Sequence, residues 1–168
     1  MILPHLPALQ IVIPLLAAPL CVVFRRSSAA YGVSLIACWA AFVVSILLLD
    51  QVIAGGAISY RLGGWEPPWG IEYLIDSTNA YVLLIVSAIG AVVMTYAGPS
   101  AAKEIGEARR YLFYTSYLLC LAGLLGVTIT GDAFNIFVFL EISSLATYIL
   151  VAGGPKRQAL SAVFKYLI

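Results

Sequence analysis

Five apolar runs of about twenty residues each constrain this chain more than any other feature of its sequence. A bilayer core about 30 Å thick is spanned by about 20 apolar residues in an α-helix, and such a helix satisfies its own backbone groups in lipid. The runs cover residues 6–24, 29–49, 77–98, 111–130 and 133–152, and a sixth starts near Gln158 and continues to Ile168. We therefore predict an all-α polytopic membrane protein with five complete transmembrane helices and the beginning of a sixth.

The composition excludes a soluble globule and several classes of site. Hydrophobic residues make up 62% of the chain and charged residues only 10%, whereas a soluble domain carries about 25% charged residues. The charges are dispersed, so the sequence offers no basic patch for a nucleic acid. Phosphate-binding glycine loops and metal-ligand spacings are absent from the sequence, and we expect no cofactor, no catalytic residue and no metal site. The cysteines lie inside apolar runs, as buried thiols do: Cys21, Cys38 and Cys120.

The basic residues between the runs predict the orientation in the membrane. Loops after the first, third and fifth runs carry seven of them: Arg25, Arg26, Lys103, Arg109, Arg110, Lys156 and Arg157. The loops after the second and fourth runs carry only Arg61. By the positive-inside rule, we expect a multi-pass protein of the cell inner (plasma) membrane with its N-terminus extracytoplasmic. We expect helices 1 and 2 in residues 1–52, an extracytoplasmic loop in residues 53–76, and helices 3 to 6 in residues 77–168.

That extracytoplasmic loop has the pattern of a β-hairpin. Two short alternating runs, ISYRL and IEYLI, flank the segment GGWEPPWG, and alternating runs around a Gly/Pro-rich loop predict paired strands. Trp65 and Trp69 fall in the loop, where indole rings favour the level of the lipid headgroups. Asp76 and Asp132 precede the third and fifth runs, at the position of helix caps.

Glu141 is the one charged residue within the five runs. A charge at the centre of a membrane helix costs about 2.5–3.5 kcal/mol on insertion scales, so such residues mark ion or proton pathways. Helical spacing places Ser144 and Tyr148 on the same face as Glu141, where their hydroxyls can bind the carboxylate or order water. We expect this face to contact protein or water. The alternative is that Glu141 only ties helices together, as polar side chains do in other bundles.

Lys165 is the second candidate for a proton pathway. It lies about 12 Å beyond Arg157 if the sixth run is helical. A lysine at that depth either belongs to the pathway or extends its ammonium group back to the interface, and the sequence leaves both interpretations open.

The chain resembles a known family of membrane proteins in three segments. These are GDAFNIFVFLEISSLATYILV, the Gly-Gly-Pro-Lys turn followed by ALSAVFKYLI, and the hairpin GGWEPPWGI. They are similar to the D subunit of Mrp-type multisubunit cation/proton antiporters, which is related to proton-pumping membrane subunits of complex I and of membrane-bound hydrogenases. The resemblance implies a longer protein of about fourteen helices built from inverted repeats, of which this chain is the N-terminal part.

The resemblance also implies roles for individual residues. Glu141 occupies the position of the family's fifth-helix glutamate, which is implicated in proton translocation, and Lys165 matches a lysine at the start of the sixth helix. The family glutamate pairs with a lysine on the seventh helix, beyond Ile168. The implied function is exchange of Na⁺, or another monovalent cation, for protons within a hetero-oligomeric membrane complex. Two alternatives remain, namely a redox-driven pump subunit and a structural membrane subunit.

Overall fold

Five long helices and one short hairpin make up the structure, a computed structural model that describes residues 3–66 and 69–153 together with residues 163 and 165. The elements are α1 (Leu6–Phe24), α2 (Ser27–Gly55), β1 (Ile58–Arg61), β2 (Glu72–Ile75), α3 (Ser77–Glu104), α4 (Glu107–Ile129) and α5 (Ala133–Ala152). Each of the helices is long and apolar enough to cross a membrane. The five predicted spans are thus confirmed, whereas most of the predicted sixth span lies outside the described residues.

Two helices continue beyond the ends predicted from the sequence. α2 passes Asp50 and ends at Gly55, because the backbone changes direction only at Gly56, whose φ of 86° favours glycine. α3 passes Pro99 and ends at Glu104. A proline removes one helical hydrogen bond, and a contact from α2, described below, replaces the missing donor. Pro99 therefore does not end the third helix.

The helices pack through small residues around α4. This helix contacts α1, α2, α3 and α5, and its own small buried residues include Ala122, Gly123 and Gly126. α2 contributes a further row of buried small side chains: Ala30, Ser34, Ala37, Cys38, Ala41 and Ser45. Small residues allow membrane helices to approach closely, so that backbone and side-chain dispersion contacts hold the bundle together.

The predicted hairpin is confirmed. β1 and β2 are antiparallel, with Ile58 opposite Ile75 and Arg61 opposite Glu72. Tyr60 of β1 stacks on Tyr73 of β2, and its hydroxyl lies 3.0 Å from Nδ1 of His5. The hairpin therefore lies at the end of the bundle where α1 begins. The two tryptophans of the connecting loop are exposed, Trp65 at 68% and Trp69 at 88%.

Candidate functional site

The start of α5 is fixed by Asp132. One carboxylate oxygen of Asp132 accepts a hydrogen bond of 3.1 Å from the backbone N–H of Phe134, and the other accepts one of 3.2 Å from the amide of Asn135. This is the predicted helix cap, and it satisfies a backbone donor that the first turn leaves free. At the start of α3, Asp76 accepts from the N–H of Asn79 at 2.8 Å. Both predicted caps are confirmed.

The hairpin contacts the turn that leads into α5. The N–H of Gly131 donates to the carbonyl of Glu72 at 3.0 Å, and Tyr73 forms a bridge with Thr130. Burial, and after it the nearby phenol of Tyr60, raises the pKa of Tyr73 above its ordinary value. The hairpin therefore fixes the backbone immediately before Asp132 and the helix that follows.

One face of α5 packs closely against α4. Its buried residues recur at helical spacing: Asn135, Phe139, Ser143 and Ala146. A β-carbon added to Gly123 of α4 would lie 2.7 Å from the carbonyl oxygen of Phe139 and 2.8 Å from the Cβ of Ser143. The two helix backbones thus approach at a distance that leaves no space for a side chain at Gly123.

Glu141 lies on the face of α5 that is turned away from this contact. It is exposed, and Ser144 and Tyr148, both half-buried, follow it on the same side of the helix. The shared face predicted from spacing is therefore present. Glu141 is eight residues from Ala133 and eleven from Ala152, which is about 12 Å and about 16 Å along the axis.

Among residues 3–66 and 69–153 the carboxylate of Glu141 makes no hydrogen bond and no ion pair. On this side of α5 the exposed apolar side chains of Phe134, Phe137 and Leu145 lie beside Ser144 and Tyr148. The cavity of about 290 Å³ between α3, α4 and α5 is apolar and is lined from α5 by Leu150, not by Glu141. Contact of this face with protein or water stays a prediction.

Lys165 is helical and exposed, but its neighbours in the sequence fall outside the described residues. A role of Lys165 in one pathway with Glu141, Ser144 and Tyr148 therefore stays a prediction. In the described ranges, no three His, Cys, Asp or Glu side chains lie close enough together to hold a metal ion.

The residues that position α5 were not among those predicted from the sequence. Gly123 and Gly126, which meet Ser143 and Phe139, carry a recognisable signal because two glycines three positions apart line one face of a helix. The contact between Gly131 and Glu72 had no such signal, since it joins backbone groups of segments that are distant in the chain.

The chain is similar in sequence to subunits of two kinds of membrane complex. No protein-family model matches the chain. It is 38% identical to the N subunit of NADH-quinone oxidoreductase from Desulforudis audaxviator, over 98% of this chain and 33% of that protein. It is 32% identical to the D subunit of the Na⁺/H⁺ antiporter from Alkalihalophilus pseudofirmus, again over 98% of this chain and 33% of that protein.

Two solved structures of membrane complexes contain a chain whose fold is similar to that of the present chain. A chain of the Mrp complex from Dietzia sp. superposes with a TM-score of 0.84 at 26% identity, over 99% of this chain and 31% of its own length. A chain of the membrane-bound sulfane sulfur reductase, an archaeal respiratory membrane complex, superposes with a TM-score of 0.87 at 28% identity. The match covers 97% of the present chain and 33% of the reductase chain. The present chain thus spans about one third of the length of these relatives.

Proposed function

From the homology of this chain to Na⁺/H⁺ antiporter D subunits and NADH-quinone oxidoreductase N subunits, we propose that it belongs to an ion-translocating subunit of a multisubunit cation/proton antiporter. The complex exchanges cytoplasmic Na⁺, or another monovalent cation, for external protons. It resides in the plasma membrane with the N-terminus of this subunit and the hairpin outside. The basic residues of the loops support this orientation.

Glu141 is the proton relay in this proposal. The observation that carries it is the depth of Glu141 in α5, about 12 Å from the nearer end, too far for a glutamate side chain to reach water at either interface. A carboxyl group in a low-dielectric site holds a proton, and an approaching positive charge favours its release. Movement of a basic partner can therefore load and unload such a group. Ser144 and Tyr148 extend the polar path along the same face, and Lys165 lies on the cytoplasmic approach.

Replacement of Glu141 by glutamine tests the proposal, because glutamine keeps the shape of the side chain and removes the titrating group. The full-length protein is expressed with its complex, and Na⁺-dependent dissipation of a pH gradient is measured in inverted membrane vesicles. We expect E141Q to abolish exchange while the complex assembles. E104Q, at the exposed C-terminal end of α3, is the control and should exchange normally.

The same variant distinguishes the structural alternative. If Glu141 only ties helices together, E141Q vesicles exchange Na⁺ for protons at the wild-type rate per assembled complex, and only the yield of complex falls. That outcome removes Glu141 from the mechanism.

A redox-driven pump is the second candidate function. The NADH-quinone oxidoreductase N subunit is 38% identical to this chain, compared with 32% for the antiporter D subunit, and one of the similar structures is a respiratory complex. An antiporter exchanges Na⁺ for protons without any electron donor. A redox-driven complex moves protons only when its electron donor and electron acceptor are supplied. The genes beside the gene of such a subunit encode iron–sulfur or nickel–iron partners, whereas those beside an antiporter subunit encode small Mrp-type membrane subunits.

A further inference from the structure

A buried polar cluster joins α1, α2 and α3. The amide Nε2 of Gln10 donates to Oγ of Ser45 at 2.8 Å, and Oγ of Ser45 lies 2.8 Å from Oγ of Ser87. All three residues have an exposed fraction of 0%. The cluster is thus enclosed by the described helices themselves, and further parts of the chain are not needed to shield it.

The cluster does not satisfy its own hydrogen-bonding groups. Ser45 can donate its only hydroxyl hydrogen to the carbonyl of Ala41, 2.9 Å away, and Ser87 can donate its own to Ser45. Neither hydroxyl then has a hydrogen left for Gln10. Oε1 of Gln10 is the one buried side-chain oxygen or nitrogen in the described residues that has no hydrogen-bond partner.

A second oxygen of the same residue also lacks its usual donor. In an α-helix the backbone carbonyl of Gln10 would accept from the N–H of residue 14, but residue 14 is Pro14, which is buried inside α1 and has no N–H. The main-chain carbonyl of Gln10 therefore lacks its usual helical donor, in the same residue whose side-chain oxygen has no partner within the described part of the chain.

We propose that a water molecule is bound at Gln10, between α1 and the serines of α2 and α3, and donates a hydrogen bond to Oε1. Buried waters are found where polar groups inside a protein lack partners, and membrane proteins use them to satisfy backbone groups freed by proline. A monovalent cation fits less well, because Gln10, Ser45 and Ser87 are neutral and the positive charge would stay uncompensated away from water. This inference does not depend on the proposed transport function.

The test is a high-resolution cryo-EM map of the full-length protein in its assembled complex in lipid. We expect a density peak at hydrogen-bonding distance from Oε1 of Gln10 and its loss in the Gln10→Met variant, which keeps the length of the side chain and removes its polar atoms. The control is Gln51→Met, which replaces a partly exposed glutamine at the end of α2 and should retain the peak. A wild-type map without the peak overturns the proposal. This result does not require the Q10M variant to assemble.

Discussion

The hydroxyl of Tyr31 in α2 donates a hydrogen bond of 3.1 Å to the backbone carbonyl of Thr95 in α3. This carbonyl is four residues before Pro99, which has no N–H to offer it. The contact therefore replaces the helical hydrogen bond that proline removes, and α3 continues for five residues beyond Pro99. Gly98 makes the approach possible, because a β-carbon there would lie 2.6 Å from Cζ of the Tyr31 ring.

Removal of the Tyr31 hydroxyl should destabilise the bundle. Tyr31→Phe removes this hydrogen bond to the carbonyl of Thr95, at a cost of about 0.5–1.5 kcal/mol, and the unfolding temperature of the purified protein in detergent reports the loss. Tyr96→Phe is the control, since Tyr96 is 74% exposed on the same helix. In the Pro99→Ala background the helix regains its own N–H donor. The loss of stability caused by Y31F should therefore be clearly smaller there than in the wild-type background. Equal costs in both backgrounds would show that the two residues are not coupled.

Substitution of Gly123 by alanine should separate α4 from α5. The added β-carbon would meet the backbone of Phe139 and Ser143, which cannot move without a shift of α5, and overpacking of this kind costs about 1–3 kcal/mol. Thermal unfolding measures the effect.

Gly32→Ala provides the matched control for Gly123→Ala. Gly32 lies in α2 and a β-carbon there meets no atom within 4 Å, so the variant should gain up to about 1 kcal/mol from helix propensity. A loss of stability in G32A as large as that in G123A would contradict a packing effect specific to the α4–α5 contact.

Removal of the cap at Asp132 should loosen the first turn of α5. Asp132→Ala eliminates the acceptor for the N–H of Phe134, and loss of such a cap costs about 1 kcal/mol. Asp132→Asn keeps a side-chain oxygen and should retain most of the stability. Hydrogen exchange at residues 134–136 reports the change, with faster exchange expected only in D132A. Equally fast exchange in D132N would assign the effect to the charge instead of the cap.

The proposed orientation predicts which end of the bundle reacts from outside the cell. In a variant without Cys21, Cys38 and Cys120, a cysteine introduced as Trp65→Cys should react with a membrane-impermeant maleimide in intact cells. Lys103→Cys, near the end of α3, should react only after permeabilisation. Labelling in the reverse order would show that the hairpin faces the cytoplasm and that the basic loops face outward.

Much of the architecture could be predicted from short segments of the sequence. Apolar length predicted each span, and the range of α5 was confirmed without change at Ala133–Ala152. Alternation around GGWEPPWG predicted the hairpin, and Asp76 and Asp132 were identified as caps. The position of Glu141 in α5 and the face that it shares with Ser144 and Tyr148 also followed from spacing. These features depend on residues within a few positions of one another, so the local sequence determines them.

The tertiary structure decided the features that depend on distant partners. The third apolar run was predicted to end at Gly98, before Pro99. α3 continues because Tyr31, which is 64 residues from Thr95 in the chain, supplies the missing donor to the Thr95 carbonyl. Gln10 gave no signal as a polar centre until Ser45 and Ser87 were brought beside it. The packed face of α5 was likewise set by the glycines of α4. Lipid offers no hydrogen bonds, so the groups left free by a proline or a buried glutamine must find their partners in packed neighbours. A glycine likewise determines how closely two helices approach only through the residues that face it.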